Sequence, residues 1–202
     1  PIVLTTSECI ADHFLEALIA PSIGGEALLH LAHKDRRRLL TLNDSMGKGL
    51  ASSIQFRSIE GSLLIQQPSQ EYDTGEFLHV GTIEAPVMDD VSIRLGMSVS
   101  RWTSSNSIVL TDGHSTIGIG PGQTSRVEAA RIALRRAGPR APGSIMWSDA
   151  FLPFPDTVEI AAEAGVAAIV QPGGSIRDVE VTEAANRLGV AMIHTGRRLF
   201  RH

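Results

Sequence analysis

Two stretches of the chain carry the same unit. Residues 167–196, AAIVQPGGSIRDVEVTEAANRLGVAMIHTG, read as strand, glycine turn, helix and strand. Residues 16–42, EALIAPSIGGEALLHLAHKDRRRLLTL, lie over them: an apolar run ending in Pro (Ala17–Pro21; Ala168–Pro172), a Gly-Gly turn (Gly24-Gly25; Gly173-Gly174), an amphipathic stretch and a second apolar run. Strands that alternate with helices specify a layered α/β architecture. The flanks of the two copies are unequal. About 70 residues, from Arg101 to Val170, lead through the second copy's first strand, against barely 16 before the first copy. A first lobe without its opening half exposes apolar faces, so the expectation is that something else covers them.

The remaining elements follow from spacing and punctuation. Residues 7–19 have helical spacing after Ser7 as a cap, before a short strand at 17–20. Glu26–His33 reads as a helix and Arg38–Leu42 as a strand. NDSMGKGLASS is a Gly/Ser-rich connector, and IQFRSIEGSLLIQQ alternates around Glu60-Gly61 as a β-hairpin. Residues 69–86 are polar and irregular, and Val87–Val99 is helical. NSIVLTDGHSTIGIG is a hairpin around Asp112-Gly113. Thr124–Ala137 is a helix with Val127, Ala130 or the stem of Arg131, and Leu134 inward; SIMWSDA is a strand; Pro155–Ala164 is a helix with Pro in its first turn.

Composition restricts the function classes. At 202 residues and 43% hydrophobic content the chain buries one good core or two small ones. No apolar run reaches the roughly 20 residues that span a bilayer, and the start lacks a secretory pattern, so the expectation is a soluble, cytoplasmic protein without a membrane partner. The single cysteine, Cys9, forms no internal disulfide and reads as a small half-buried apolar residue. Neither a CxxC pair nor an HxE with a following PCxxC is present to hold zinc, so no metal is expected. A net charge of −4 gives no general attraction to nucleic acid, and no nucleic-acid partner is expected. Arginines are nevertheless clustered at 36–38, at 131, 135, 136 and 140, and at 197, 198 and 201, where they are solvated faces or suit a small anionic ligand.

Four motifs carry chemistry. They are Ser105-Asn106, IGIGPGQTSR at 117–126, SDAFLPFPD at 148–156 and the terminal HTGRRLFRH at 194–202. Gly118, Gly120 and Gly122 precede a helix, where backbone N–H groups, the helix N-terminus and Arg126 would hold a phosphate; a tight structural turn is the alternative. Phe151 and Phe154 beside Asp149 and Asp156 make a lip for a flat heterocycle, or else a capped helix start. The tail RRLFRH is rich enough in specific chemistry to be docked.

In this order the motifs resemble those of the aminoimidazole carboxamide ribonucleotide (AICAR) transformylase portion of the bifunctional purine-biosynthesis enzyme family. The match is dense over residues 101–202 and continues weakly through 1–70. The resemblance implies two zinc-free cytidine-deaminase-like lobes of three layers. Residues 1–45 are then the trailing part of the first lobe, 46–100 a connector with a β-hairpin and a helix, and 101–202 the complete second lobe. It also implies formyl transfer from 10-formyltetrahydrofolate, as co-substrate, to the 5-amino group of AICAR, within a homodimer. Under it Asn106 matches an asparagine of the reaction centre and Arg126 a nucleotide-contacting arginine. Phe151, Pro153, Phe154 and Asp156 match the segment holding the base and the folate ring. Arg198 matches a phosphate- or nucleotide-binding arginine, and Phe200 and His202 the tail that closes the site.

Departures from the family pattern leave three readings open. The family's Lys-His-x-Asn-Pro motif, which carries the expected general base, belongs to the opening of the first lobe and has no counterpart here; His202 and His194 are the only histidines inside matched motifs. A Lys-rich run before Ser-Asn is replaced by SRWTSSNS, with Trp102 and Thr103. One reading is half of a transformylase site, completed by a second polypeptide or a lost segment. Another is a catalytically silent nucleotide-binding or scaffolding lobe. The third is a specialised-metabolism relative acting on another amino-carboxamide.

Overall fold

The computed structural model describes residues 1–33, 36–42, 54–66 and 77–201. Among them it has six α-helices and ten strands. The chain forms two compact units, Pro1–Gln70 and Glu71–His202. The stretch expected as a connector is therefore divided: its hairpin goes with the first unit, and its helix, with a short strand before it, with the second.

In the first unit, strand β1 (Ala17–Ala20) runs parallel to β2 (Arg38–Thr41), with Ala17 opposite Arg38, and helix α2 (Gly25–Leu31) joins them. Helix α1 (Leu4–Ile10) begins earlier than its spacing suggests. Ser7 is not the cap; it is buried inside the helix and its hydroxyl donates to the Leu4 carbonyl at 2.6 Å. Ile2, Ala20, Ala27 and Leu31 form the core. Strands β3 (Gln55–Ile59) and β4 (Ser62–Gln66) form the expected hairpin, with Glu60 and Gly61 both at positive φ. The connector NDSMGKGLASS lies outside the described residues.

The second unit is built on one six-stranded sheet. Its strands are β5 (Leu78–His79), β6 (Ile108–Thr111), β7 (Thr116–Gly120), β8 (Ile145–Ser148), β9 (Ala168–Gln171) and β10 (Ala191–His194), in the order β5-β10-β9-β8-β6-β7. Strands β8, β9 and β10 are parallel, and β5, β6 and β7 pair antiparallel to their neighbours. The central strands are buried at every position because both faces of the sheet are covered. Side chains alternate between the faces. Ile108, Leu110, Met146, Ile169 and Met192 face helices α4 (Arg126–Ala137), α5 (Asp156–Glu163) and α6 (Asp178–Leu188). Val109, Trp147, Val170 and Ile193 face helix α3 (Asp90–Trp102) on the other side. The unit is thus a three-layer α/β domain, as the sequence predicts. Both quoted repeats are parallel strand–helix–strand units, with Ala168 opposite Ala191 in the second.

Two helices differ from expectation for physical reasons. Helix α3 starts at Asp90 because Asp89 caps it, accepting from the Ser92 N–H at 2.8 Å. Helix α4 buries Ala129, Ala130, Ala133 and Ala137. The larger Val127 and Leu134 are only partly buried, because glycines of β7 bring the helix too close for large side chains. No helix among the described residues is long and apolar enough to cross a membrane.

Candidate active site

The topology gathers the chemistry-bearing motifs on one edge of the sheet. Strands β8, β9 and β10 end there at Ser148, Gln171 and His194. Ile108 at the start of β6 lies opposite both Ser148 and Gly120, so residues 105–107 and 121–126 reach the same edge. Ligands of open α/β sheets bind at the carboxyl ends of parallel strands.

Asn106 is fixed by its neighbour across the edge. Its backbone N–H donates to Gln123 O at 3.2 Å and its carbonyl accepts from Gln123 N at 3.0 Å. Its side-chain Nδ2 donates to Gln123 O at 2.9 Å. The donor end of the amide is engaged, and Oδ1 is the acceptor it presents.

Arg126 is the first residue of α4, behind the cap Ser125. Its Nη2 lies 3.4 Å from Oδ1 of Asp149, with side-chain exposures of 11% and 0%. The Phe200 ring centroid is 5.7 Å from its Cζ. Burial pushes the guanidinium down from its ordinary value; Asp149 opposes that shift and the charge of Arg198 adds to it. Two guanidinium charges therefore lie within electrostatic reach of each other while Asp149 pairs with one of them, a local excess of positive charge that suits an anion. Nε of Arg126, Oδ2 of Asp149 and Oγ of Ser107 are buried without a hydrogen-bond partner. Such atoms at one edge leave polar capacity unused inside the site.

An outer rim is made of stacked cations and aromatic rings. Cζ of Arg198 lies 5.1 Å from the Phe151 ring, and Cζ of Arg177 lies 4.7 Å from the Phe154 ring. Phe154 is 48% exposed. Pro153 is half-buried between them. Beneath the rim, Gln171 accepts from the Leu152 N–H at 2.7 Å and turns its Nε2 to Nε2 of His194 at 3.1 Å. A Cβ on Gly173 would fall 2.6 Å from the His194 ring, so only glycine allows this approach.

This arrangement sets a pH dependence. The oxygen of Gln171 is taken by Leu152, so its amide donates and His194 Nε2 must be the unprotonated acceptor. Burial lowers His194 from its ordinary 6.5, and Asp178 opposes the shift. The folded state thus resists the proton that the unfolded state accepts. Stability is complete above pH 6.5 and declines as the pH falls through the lowered value. We expect the fall in Tm between pH 7 and pH 5 to shrink in His194→Gln; an identical slope in the variant would sink this assignment.

Several expectations are corrected. Gly118 and Gly120 do not form a phosphate loop. They lie within β7, where an added Cβ would meet the Ala133 carbonyl oxygen at 2.1 Å and that of Ala129 at 1.9 Å. Only Gly122 is in a loop, at φ 65, with its N–H given to Ser104 O. Asp156 serves the start of α5, its Oδ1 accepting from the Thr157 N–H at 2.7 Å. The carboxylate at the centre is Asp149, which pairs with Arg126. Its position just after the apolar run Ile145-Met146-Trp147 is the signal the sequence offers. His202 lies outside the described residues. Among those residues no His/Cys/Asp/Glu group could hold a metal ion.

Comparison with known proteins bears on this geometry. A sequence model of the AICARFT/IMPCHase bienzyme family matches residues 1–136. The bifunctional purine biosynthesis protein PurH of Acetivibrio thermocellus is 43% identical over 198 residues, covering 98% of this chain and 38% of that protein. Its counterparts in Shouchella clausii and Bacillus anthracis are each 44% identical, with the same coverages. The chain thus spans under two fifths of the length of these relatives. RibD of Acinetobacter baumannii, a solved structure, matches with a TM-score of 0.36 at 18% identity over 50% of this chain and 32% of that one, too slight a likeness to bear on the fold.

Proposed function

The chain belongs to the AICARFT/IMPCHase bienzyme family, and on that premise we propose that its second unit is part of a transformylase site, moving the formyl group of 10-formyltetrahydrofolate to the 5-amino group of AICAR. The observation that supports this most is Arg126, paired with the buried carboxylate of Asp149 and within electrostatic reach of a second arginine, Arg198. Two arginines that one carboxylate does not neutralise suit a phosphate monoester.

In this reading Arg126 and Arg198 hold the nucleotide phosphate. Oδ1 of Asn106 accepts from the amine or carboxamide N–H and orients it. Phe151 and Phe154 offer flat, partly exposed faces to a pterin-like ring. The amine nitrogen bonds to the formyl carbon, losing a proton to a base. The oxyanion then collapses, and the bond from the formyl carbon to N10 breaks as N10 takes a proton. His194 is committed to Gln171, so we assign the base to a Lys-His segment outside residues 1–202, on a longer form of this chain or on another polypeptide. We read the two strand–helix–strand repeats as the trailing parts of two cytidine-deaminase-like lobes in a cytoplasmic homodimer or hetero-oligomer.

The test is calorimetric. AICAR should bind at least tenfold more tightly than its dephosphorylated nucleoside, and formyl transfer should appear once a polypeptide carrying the Lys-His motif is supplied. Equal affinity for nucleotide and nucleoside would remove the phosphate assignment. Tight nucleotide binding without transfer in the completed mixture would remove the activity.

A further inference from the structure

The last described residues are fastened to a segment far away in sequence, and the fastening centres on Trp102. Leu199 is buried and its N–H donates to Asp149 O at 2.7 Å. Arg201 returns to the end of α3: its N–H donates to Ser105 Oγ at 2.9 Å, and its carbonyl accepts from Ser105 N at 3.0 Å. Its guanidinium donates from Nη1 to Trp102 O at 2.7 Å, with Cζ 4.9 Å from the Trp102 ring. Arg101 adds a second cation, 5.7 Å from the same ring. Between Leu199 and Arg201 stands Phe200, against Arg126.

Trp102 is 57% exposed, an unusual placement for the largest apolar side chain. Its indole has the most favourable ring face for a cation, and a guanidinium stacks on it while donating in its own plane. Arg201 does both at once, to the ring and to the carbonyl of the same residue. A tail held this way has one register, and that register sets Phe200 beside Arg126.

We propose that Trp102 is a positioning residue, a clasp that holds Arg201 and thereby fixes Phe200 and the Ser105-Asn106 peptide at the site edge. The clasp stands on contacts within this chain, whereas its bearing on catalysis rests on the transformylase reading above.

Amide hydrogen exchange of the full chain tests it. A cation–π contact at an exposed site is worth about 0.5–1 kcal/mol, so Trp102→Ala should speed exchange of the Ser105 and Arg201 amides about two- to fivefold. Exchange at Ile169, in the middle of the sheet, should not change. Trp102→Phe should restore most of the protection. Arg201→Ala should accelerate Ser105 at least as much, because it also removes the hydrogen bond to the Trp102 carbonyl, and the double variant should go no further than Arg201→Ala alone, because the ring contact is already lost there. Unchanged Ser105 exchange in Trp102→Ala, or full additivity of the two variants, would overturn the clasp. In the wild type, saturating AICAR should slow Ser105 exchange further. Its failure to do so while the Trp102 effect stands would count against the nucleotide reading and not against the clasp.

Discussion

Arg126→Ala is expected to cost roughly 3 kcal/mol of stability in the second unit, the scale on which removing one partner of a buried ion pair leaves the other charge uncompensated. Asp149 is fully buried, and its Oδ2 has no hydrogen-bond partner. Without the guanidinium its carboxylate keeps its burial and loses its counter-charge. The same substitution removes a charge-assisted donor, so phosphate-bearing ligands should weaken by about 2 kcal/mol, roughly thirtyfold. These two losses are separable. Arg126→Ala combined with Asp149→Asn leaves no buried charge behind and should recover most of the stability in urea denaturation. It should recover none of the affinity in calorimetry. An Arg126→Ala protein as stable as wild type would mean that Asp149 is solvated in a way its burial denies. Recovered affinity in the double variant would place the anion elsewhere.

The contrast between Asp149 and Asp156 shows where sequence reasoning reached its end. Both carboxylates stand in one motif, SDAFLPFPD, and spacing alone does not rank them. Pairing does: β8 aligns with the start of β6, which carries Asp149 to the edge where Arg126 arrives, while Asp156 is used at the first turn of α5. The repeated units, the Asp112-Gly113 hairpin and most of the helices were legible because each is a local pattern of period and punctuation. The docked tail was legible in kind, from its composition, but not in its partners. Ser105 and Trp102 lie nearly a hundred residues from Arg201, and only the fold joins them. Strand β5 was missed because two paired residues leave no periodicity to find. The glycines of β7 were misread for a related reason. A Gly-x-Gly spacing looks the same whether it makes room for a phosphate or for a helix.

That last ambiguity yields the other large expected effect: Gly120→Ala should destabilise the second unit by about 3 kcal/mol or more, at or beyond the upper end of what overpacking a core costs. The new methyl would stand 1.9 Å from the Ala129 carbonyl oxygen and 2.8 Å from its carbon. Both are backbone atoms of the first turn of α4, with no rotamer to turn aside. Relief requires the whole helix to retreat by more than an ångström, opening the Ala129, Ala130 and Ala133 contacts behind it. Gly189→Ala makes the comparison informative. Gly189 ends α6 at φ +76, where an added Cβ has nothing within 4 Å, so that variant should lose only about 1 kcal/mol through the left-handed backbone. Urea denaturation of the pair isolates close helix–strand contact from backbone strain; equal losses would mean that α4 does not press on β7. The consequence reaches the site, because Arg126 heads the displaced helix and lies only 3.4 Å from Asp149. A Gly120→Ala protein that remains folded should therefore also bind AICAR more weakly, whereas Gly189→Ala should bind it as wild type does.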